Sequence, residues 1–339
     1  MLIPRYWHRA DSQAVKPDGQ PVRFHVWRGS RGSPADAQVL AEQAVVRVAE
    51  RIQSGMGFPE KYTYGDRPLR EEVVREIQGS GGPDAPDAAI TRNIYGALVL
   101  NAAHAFFIDV DVAGSEPGAS SGSSGEHPPQ NPAQAIGDAA QSLWNAVDSL
   151  PLPGGLKSFL GAFRPSSPAP SAPPPPTPAP APAPADAATG PALDRLRRFV
   201  AARPEWRVRV YRTYAGLRYL VTHAPFEPTG ADAQAALAAM GADPHYVRLC
   251  QVQKSFRARL TPKPWRIGMP TPPVRFPFDG PGDERAMRDW ESRYEQASAG
   301  RATCRFVEEI GTGAEHPDIA PLRALHDEQT RATSGLPLA

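Results

Sequence analysis

The sequence predicts an α+β fold, on three observations. Short runs that alternate apolar and polar residues recur along the chain, which is the pattern of half-buried strands. Other stretches return apolar residues every three or four positions, which is the pattern of amphipathic helices. One long segment, 113–190, is rich in Gly, Ser, Pro and Ala and interrupts both rhythms. A chain of 339 residues holds one large domain or two small ones and can bury a sizeable core.

Bulk composition excludes little. The net charge of +1 makes no global commitment to nucleic acid or to a membrane surface. Proline is the outlier, 40 residues, about twice the usual ~5%, and it is concentrated in one segment. The two cysteines, Cys250 and Cys304, are too few for a disulfide scaffold and read as buried thiols. No run reaches the ~18 apolar residues of a membrane-spanning helix, and the N-terminal residues carry no apolar leader. The expectation is a soluble cytoplasmic protein.

The elements follow in order. Residues 2–9 and 22–29 read as a hairpin around the Pro17-Asp18-Gly19 turn signal. Residues 34–54 read as a helix capped by Ser33, with Ala37, Ala41, Val45, Val48 and Ile52 on one face. Pro68 predicts a turn into a short helix through about Ile77. Residues 89–112 read as an antiparallel meander ending in Phe106-Phe107-Ile108-Asp109-Val110-Asp111-Val112. Within 113–190, residues 133–149 allow a helix around Trp144, while Pro165–Ala185 reads as polyproline II or disorder, able to act as a spacer or a partner-binding arm. Beyond it come a helix (191–203), strands (206–213 and 217–223), a helix (230–241), a strand (255–260), a polar helix (282–298), a strand (302–311) and a closing helix (319–330). The expected layout is one α+β domain, 1–112 with 191–331, interrupted by the insertion and followed by a tail at 332–339. With the insertion removed, the order β-α-β-β-α-β is that of a ferredoxin-like or RRM-like antiparallel sheet with helices on one face.

The chemistry centres on Asp109 and Asp111. Strand residues two apart point to one face, so their carboxylates stand together and repel unless compensated. A divalent cation, Mg²⁺ or Mn²⁺, is the usual compensation, and solvation at a strand end is the plain alternative. Glu308 or Glu309 on the last strand would supply a further acid. Two such ions align an attacking hydroxyl and a nucleoside triphosphate in phosphoryl transfer. Candidate phosphate-binding cations are Arg212 and Arg218 around the Thr213–Gly216 turn, His223, and the run Lys254, Arg257, Arg259, Lys263 and Arg266. Phe256 and Trp265 lie within that run, and interleaved aromatics and cations suit a groove that tracks a nucleic-acid strand. A solvated edge strand is the plain reading of the same run.

The Phe106–Val112 strand, the Arg209–Arg218 hairpin and the late strand with Glu308-Glu309 together resemble the archaeo-eukaryotic primase and primase-polymerase superfamily. The resemblance spans about residues 90–310. It implies Asp109 and Asp111 as the first metal-binding motif and Glu308 or Glu309 as the third, with nucleic acid and nucleoside triphosphates as partners. The second motif departs, because Arg218 stands where that family has a histidine and His223 lies five residues on. The chain is also similar to a group of bacterial proteins that share the Tyr64–Glu72, Ile90–Gly96 and Arg259–Arg266 stretches, a likeness that assigns no activity. Four readings follow from the sequence. They are a metal-dependent nucleotidyl transferase, a non-catalytic module binding nucleic acid or nucleotide on the same sheet, a metal-dependent nuclease, and an interaction protein acting through its Pro-rich arm.

Overall fold

A computed structural model describes residues 1, 3–58, 69–79, 87–112 and 185–339, the side chains of 185–188 excepted. The expected helix at 133–149 and the Pro-rich run lie outside the described residues.

The N-terminal hairpin pairs β1 (Tyr6–Val15) with β2 (Pro21–Ser30) in antiparallel register around the turn at residues 16–20. Helix α1 (Pro34–Gln53) starts where Ser33 Oγ accepts the Asp36 N–H at 3.1 Å, with Pro34 in the first turn, where no amide donor is needed. Its predicted face is buried, and Val48 and Ile52 pack with Ala14 of the hairpin.

Residues 72–77, expected as a short helix, form strand β3 (Glu72–Ile77). It begins the antiparallel sheet β3-β4-β5-β9, with β4 (Ala88–Arg92), β5 (Leu98–Ala102) and β9 (Phe256–Arg259). Glu and Val at 71–76 disguise the strand as a helix, but its acids are held by distant arginines. Glu71 takes two bonds from Arg257, at 2.7 and 3.0 Å, Glu76 takes two from Arg5, and Glu72 pairs with Arg288. Those partners come from far along the chain, so tertiary pairing overrides local propensity.

The second sheet runs β10-β7-β8-β6, antiparallel throughout, from β6 (Phe107–Asp111), β7 (Val208–Thr213), β8 (Gly216–Val221) and β10 (Cys304–Ile310). The meander expected over 89–112 therefore breaks before its last strand, since β6 leaves β5 and pairs with β8. Part of the predicted order is present, because β6, helix α2 (Ala185–Ala201) and β7 form a crossover with β8 between the two strands. A ferredoxin-like sheet would then add its fourth strand beside the first. Here β10 adds beside β7, and the flank of β6 is taken by β9 and by α4 (Pro244–Gln253). The Tyr246 hydroxyl of α4 donates to Phe107 O at 2.7 Å and accepts the Arg257 N–H at 3.3 Å, and Asp243 N–H donates to Asp109 O at 3.2 Å. These bonds occupy an edge that would otherwise be open.

Helices cover both faces of this sheet, not one. Tyr219 Oη donates to Ala192 O of α2 on one face, where α3 (Ala231–Met240) also joins the core. On the other face the His326 ring of α6 (Ala320–Thr330) lies 5.1 Å from Phe107 and 4.7 Å from Tyr211, centroid to centroid. Helix α5 (Pro281–Ser298) buries Trp290 and Tyr294 in a separate cluster with Met287. Residues 332–339 are not a free tail. Phe306 N–H donates to Ala332 O, Ala302 N–H to Pro337 O and Ala339 N–H to Ala302 O, at 2.9–3.0 Å.

Candidate functional site

Asp109 and Asp111 share a face of β6 with Phe107, as strand periodicity requires. Asp109 is not waiting for a cation, because it already holds one. Arg218, directly opposite on β8, grips its carboxylate with two bonds, Nε at 2.7 Å and Nη2 at 3.0 Å. Arg218 is 2% exposed, and its Nη1 also donates to Arg259 O at 2.8 Å. Burial works against the Arg218 charge, but the Asp109 carboxylate overrides it and raises the pKa above the ordinary arginine value. Asp111 faces Gly216 in the register and is exposed. A Cβ at Gly216 would fall 2.0 Å from Val110 O, so only glycine lets β8 approach β6 this closely.

Two further guanidiniums, those of Arg259 and Arg266, lie close beside this pair. Arg259 ends β9 with its guanidinium half-buried, and among the described residues that group donates one hydrogen bond, to Thr261 O at 3.1 Å. Its pKa is lowered to about 10, by burial first and then by the like charges of Arg266 and Arg218, with Asp109 opposing. Arg266 lies over the Tyr214 ring at 4.0 Å, and Tyr214 tops the β7–β8 turn. Next to Arg266 in the short 3₁₀ turn Pro264–Ile267, Trp265 is 43% exposed. Its ring meets Tyr95 edge-to-face at 5.3 Å, and Lys263 Nζ lies 5.3 Å from its centroid. The β4–β5 turn, the β7–β8 turn and the segment after β9 thus build a surface of three aromatic rings and several cations beside the Asp109 carboxylate.

The late glutamates do not join it. Strand β10 lies at the opposite edge of the sheet, three strand spacings or roughly 14 Å from β6. Glu308 pairs with Arg197 of α2 at 2.7 Å. Glu309, on the opposite face, takes bonds from Arg207 at 2.6 and 3.1 Å. The Arg207 hydrogen bonds lower the Glu309 pKa, against the effect of burial. Among the described residues, no three of His, Cys, Asp and Glu gather as a metal-holding group.

Of the eight predicted phosphate-binding cations, Arg218, Arg259, Lys263 and Arg266 reach this surface. Arg212 braces the turn below it, donating to Gly216 O at 2.7 Å. Arg257 is buried against Glu71 and Gln253. His223 packs against the rings of Trp206 and Phe226, which also touch each other, and burial lowers its pKa. Tyr95 and Tyr214, both half-buried, were not among the candidates the sequence singles out, and their one signal there is adjacency to turn residues.

A second polar cluster went unread. His326 Nε2 lies 4.0 Å from Cys304 Sγ and 3.4 Å from Arg218 Nη1, and His326 Nδ1 lies 3.3 Å from Asp327 Oδ1. Asp327 also accepts from Tyr211 Oη at 2.6 Å and Arg209 Nη2 at 2.8 Å. The Cys-His-Asp order has the connectivity of a nucleophile relay, but Cys304 and His326 are fully buried. Burial pushes the thiol up to about 11 and the imidazole down to about 4, so the sulfur stays protonated and inert. This web locks α6 onto the sheet. Its signal in the sequence was Leu322, His326 and Thr330 at steps of four.

Compared with known proteins, the chain matches no family model, no curated relative and no solved structure.

Proposed function

We propose that this chain is a non-catalytic module that binds single-stranded nucleic acid across the Trp265 surface. The carrying observation is Arg259, a half-buried residue whose guanidinium donates one hydrogen bond among the described residues and sits close enough to Arg218 and Arg266 to be repelled by both. A phosphate there would relieve the repulsion and take the unused donors. Trp265, Tyr95 and Tyr214 offer ring faces and edges for bases, and stacking contributes about 1–3 kcal/mol per base with little sequence preference. The β6-α2-β7 crossover, with β8 between its two strands, supports the reading as the start of an RRM-like order.

The nucleotidyl-transferase reading keeps one favourable observation, the shared face of Asp109 and Asp111. It requires Asp109 to exchange Arg218 for Mg²⁺ or Mn²⁺ and an acid other than Glu308 or Glu309 to complete the site. Fluorescence anisotropy with a labelled single-stranded oligonucleotide separates the two. Binding should weaken steeply with salt and weaken again in Arg259→Met and Trp265→Ala. Affinity indifferent to both substitutions would sink the binding reading. Metal-dependent nucleotide incorporation that Asp109→Ala abolishes would restore the enzyme.

A further inference from the structure

A cleft of about 850 Å³ opens between the first residues of the chain, the β5–β6 loop, the loop after β8 and the start of α6. That is the size of a pocket for a small organic ligand. Its apolar wall is Ile3, Phe226, Ile319 and Leu322, buried or half-buried. Arg5 grips Glu76 with two bonds at 2.7 and 2.8 Å. His104 Nδ1 lies 3.2 Å from Glu227 and His316 Nδ1 3.9 Å from Asp318, contacts that are ion pairs only when the imidazole is protonated. Arg31 and Lys254 on the rim are exposed and make no ion pair with any described residue, and Asp87 is the remaining carboxylate on the wall.

Lys254 carries a second sign. It caps α4 with φ +50°, a left-handed conformation that glycine adopts at no cost and other residues rarely take. A lysine held there presents its side chain at the cleft where a glycine would present nothing. The charges of Arg31 and Lys254 both reach into the cleft, since both lower the pKa of the Met1 amine after burial has done so, with Glu227 opposing.

We infer that this cleft binds a small organic anion, with its acidic head at the Arg31 and Lys254 rim and its apolar body over Phe226, Ile319 and Leu322. The inference does not rest on nucleic-acid binding. It is tested on the full chain with two fluorescent probes of matched body, anilinonaphthalene sulfonate and the neutral phenylnaphthylamine. The sulfonate should bind saturably, and the double variant Arg31→Glu/Lys254→Glu should lose about tenfold or more of that affinity, because a charge-assisted contact is removed. The neutral probe should bind both proteins within about twofold of each other, since no such contact is at stake. Both rim positions are exposed, so the variant is expected to fold, with circular dichroism as the check. An unchanged sulfonate affinity, an equal loss for both probes, or no saturable binding would overturn the inference. Trp265→Ala serves as the control, because it should leave the sulfonate affinity intact while weakening oligonucleotide binding.

Discussion

The two edges of the β10-β7-β8-β6 sheet use the same residue types to opposite ends. At the β10 edge each glutamate meets its own arginine near solvent, Glu308 with Arg197 and Glu309 with Arg207. At the β6 edge one carboxylate, Asp109, is opposed by a buried Arg218, with Arg259 and Arg266 close enough to repel each other. The first edge keeps its charges in separate pairs, and the second crowds like charges together. An incoming anion gains most where like charges crowd, so arrangement, more than the count of charged residues, separates a structural ion pair from a binding site.

Stability measurements offer the strongest way to break this contrast. Asp109→Ala strands a buried guanidinium and should cost about 3–5 kcal/mol in urea unfolding. Glu308→Ala should cost less than about 1 kcal/mol, as for a solvent-exposed pair. Equal costs would mean that the β6 pair is no more buried in effect than the β10 pair.

The pH dependence should divide the regions next. His326 beside Arg218 has a folded pKa of about 4 against an ordinary 6.5, so the unfolded chain takes its proton first. Its contribution is complete above pH 6.5 and falls as pH drops toward 4, by on the order of 3 kcal/mol. The lowered Glu309 pKa gives stability that persists below that window and is lost only as pH falls through the carboxylate range. His326→Gln, followed by urea unfolding across pH, should remove the upper loss and leave the lower one.

Binding provides the finer test. Trp265→Ala should cost about 1–3 kcal/mol of oligonucleotide affinity. Phe306→Ala, which removes the ring beneath Arg209 at the other edge, should cost none. Glu309→Gln should likewise stay within about 1 kcal/mol of wild-type stability by thermal melting.

Local rhythm made much of the fold legible. The stripe Ala37-Ala41-Val45-Val48-Ile52 marks α1, and the Tyr214-Ala215-Gly216 turn marks the β7–β8 hairpin. Strand β3 was hidden because its acids read as helix formers until Arg5, Arg257 and Arg288 arrive from distant segments. Helix α4 escaped notice although Asp243-Pro244 is a start signal, its side chain capping His245 N–H at 3.1 Å. Which strand adds to which edge is a global outcome with no local signature, so the separation of Glu308 and Glu309 from Asp109 was not readable. The basic run 254–266 was visible as composition, but its division into buried brace (Arg257), repelled neighbour (Arg259) and aromatic partner (Lys263, Arg266) needed the third dimension.

The hydrogen bonds that residues 332–339 make to Ala302 and Phe306 have a bearing on how copies of this molecule treat one another. Those few residues shield the outer main chain of β10 as the Tyr246 hydroxyl and the Asp243 amide shield that of β6. Trimming them would turn a quiet rim into an adhesive one, ready to borrow a strand from a neighbouring molecule.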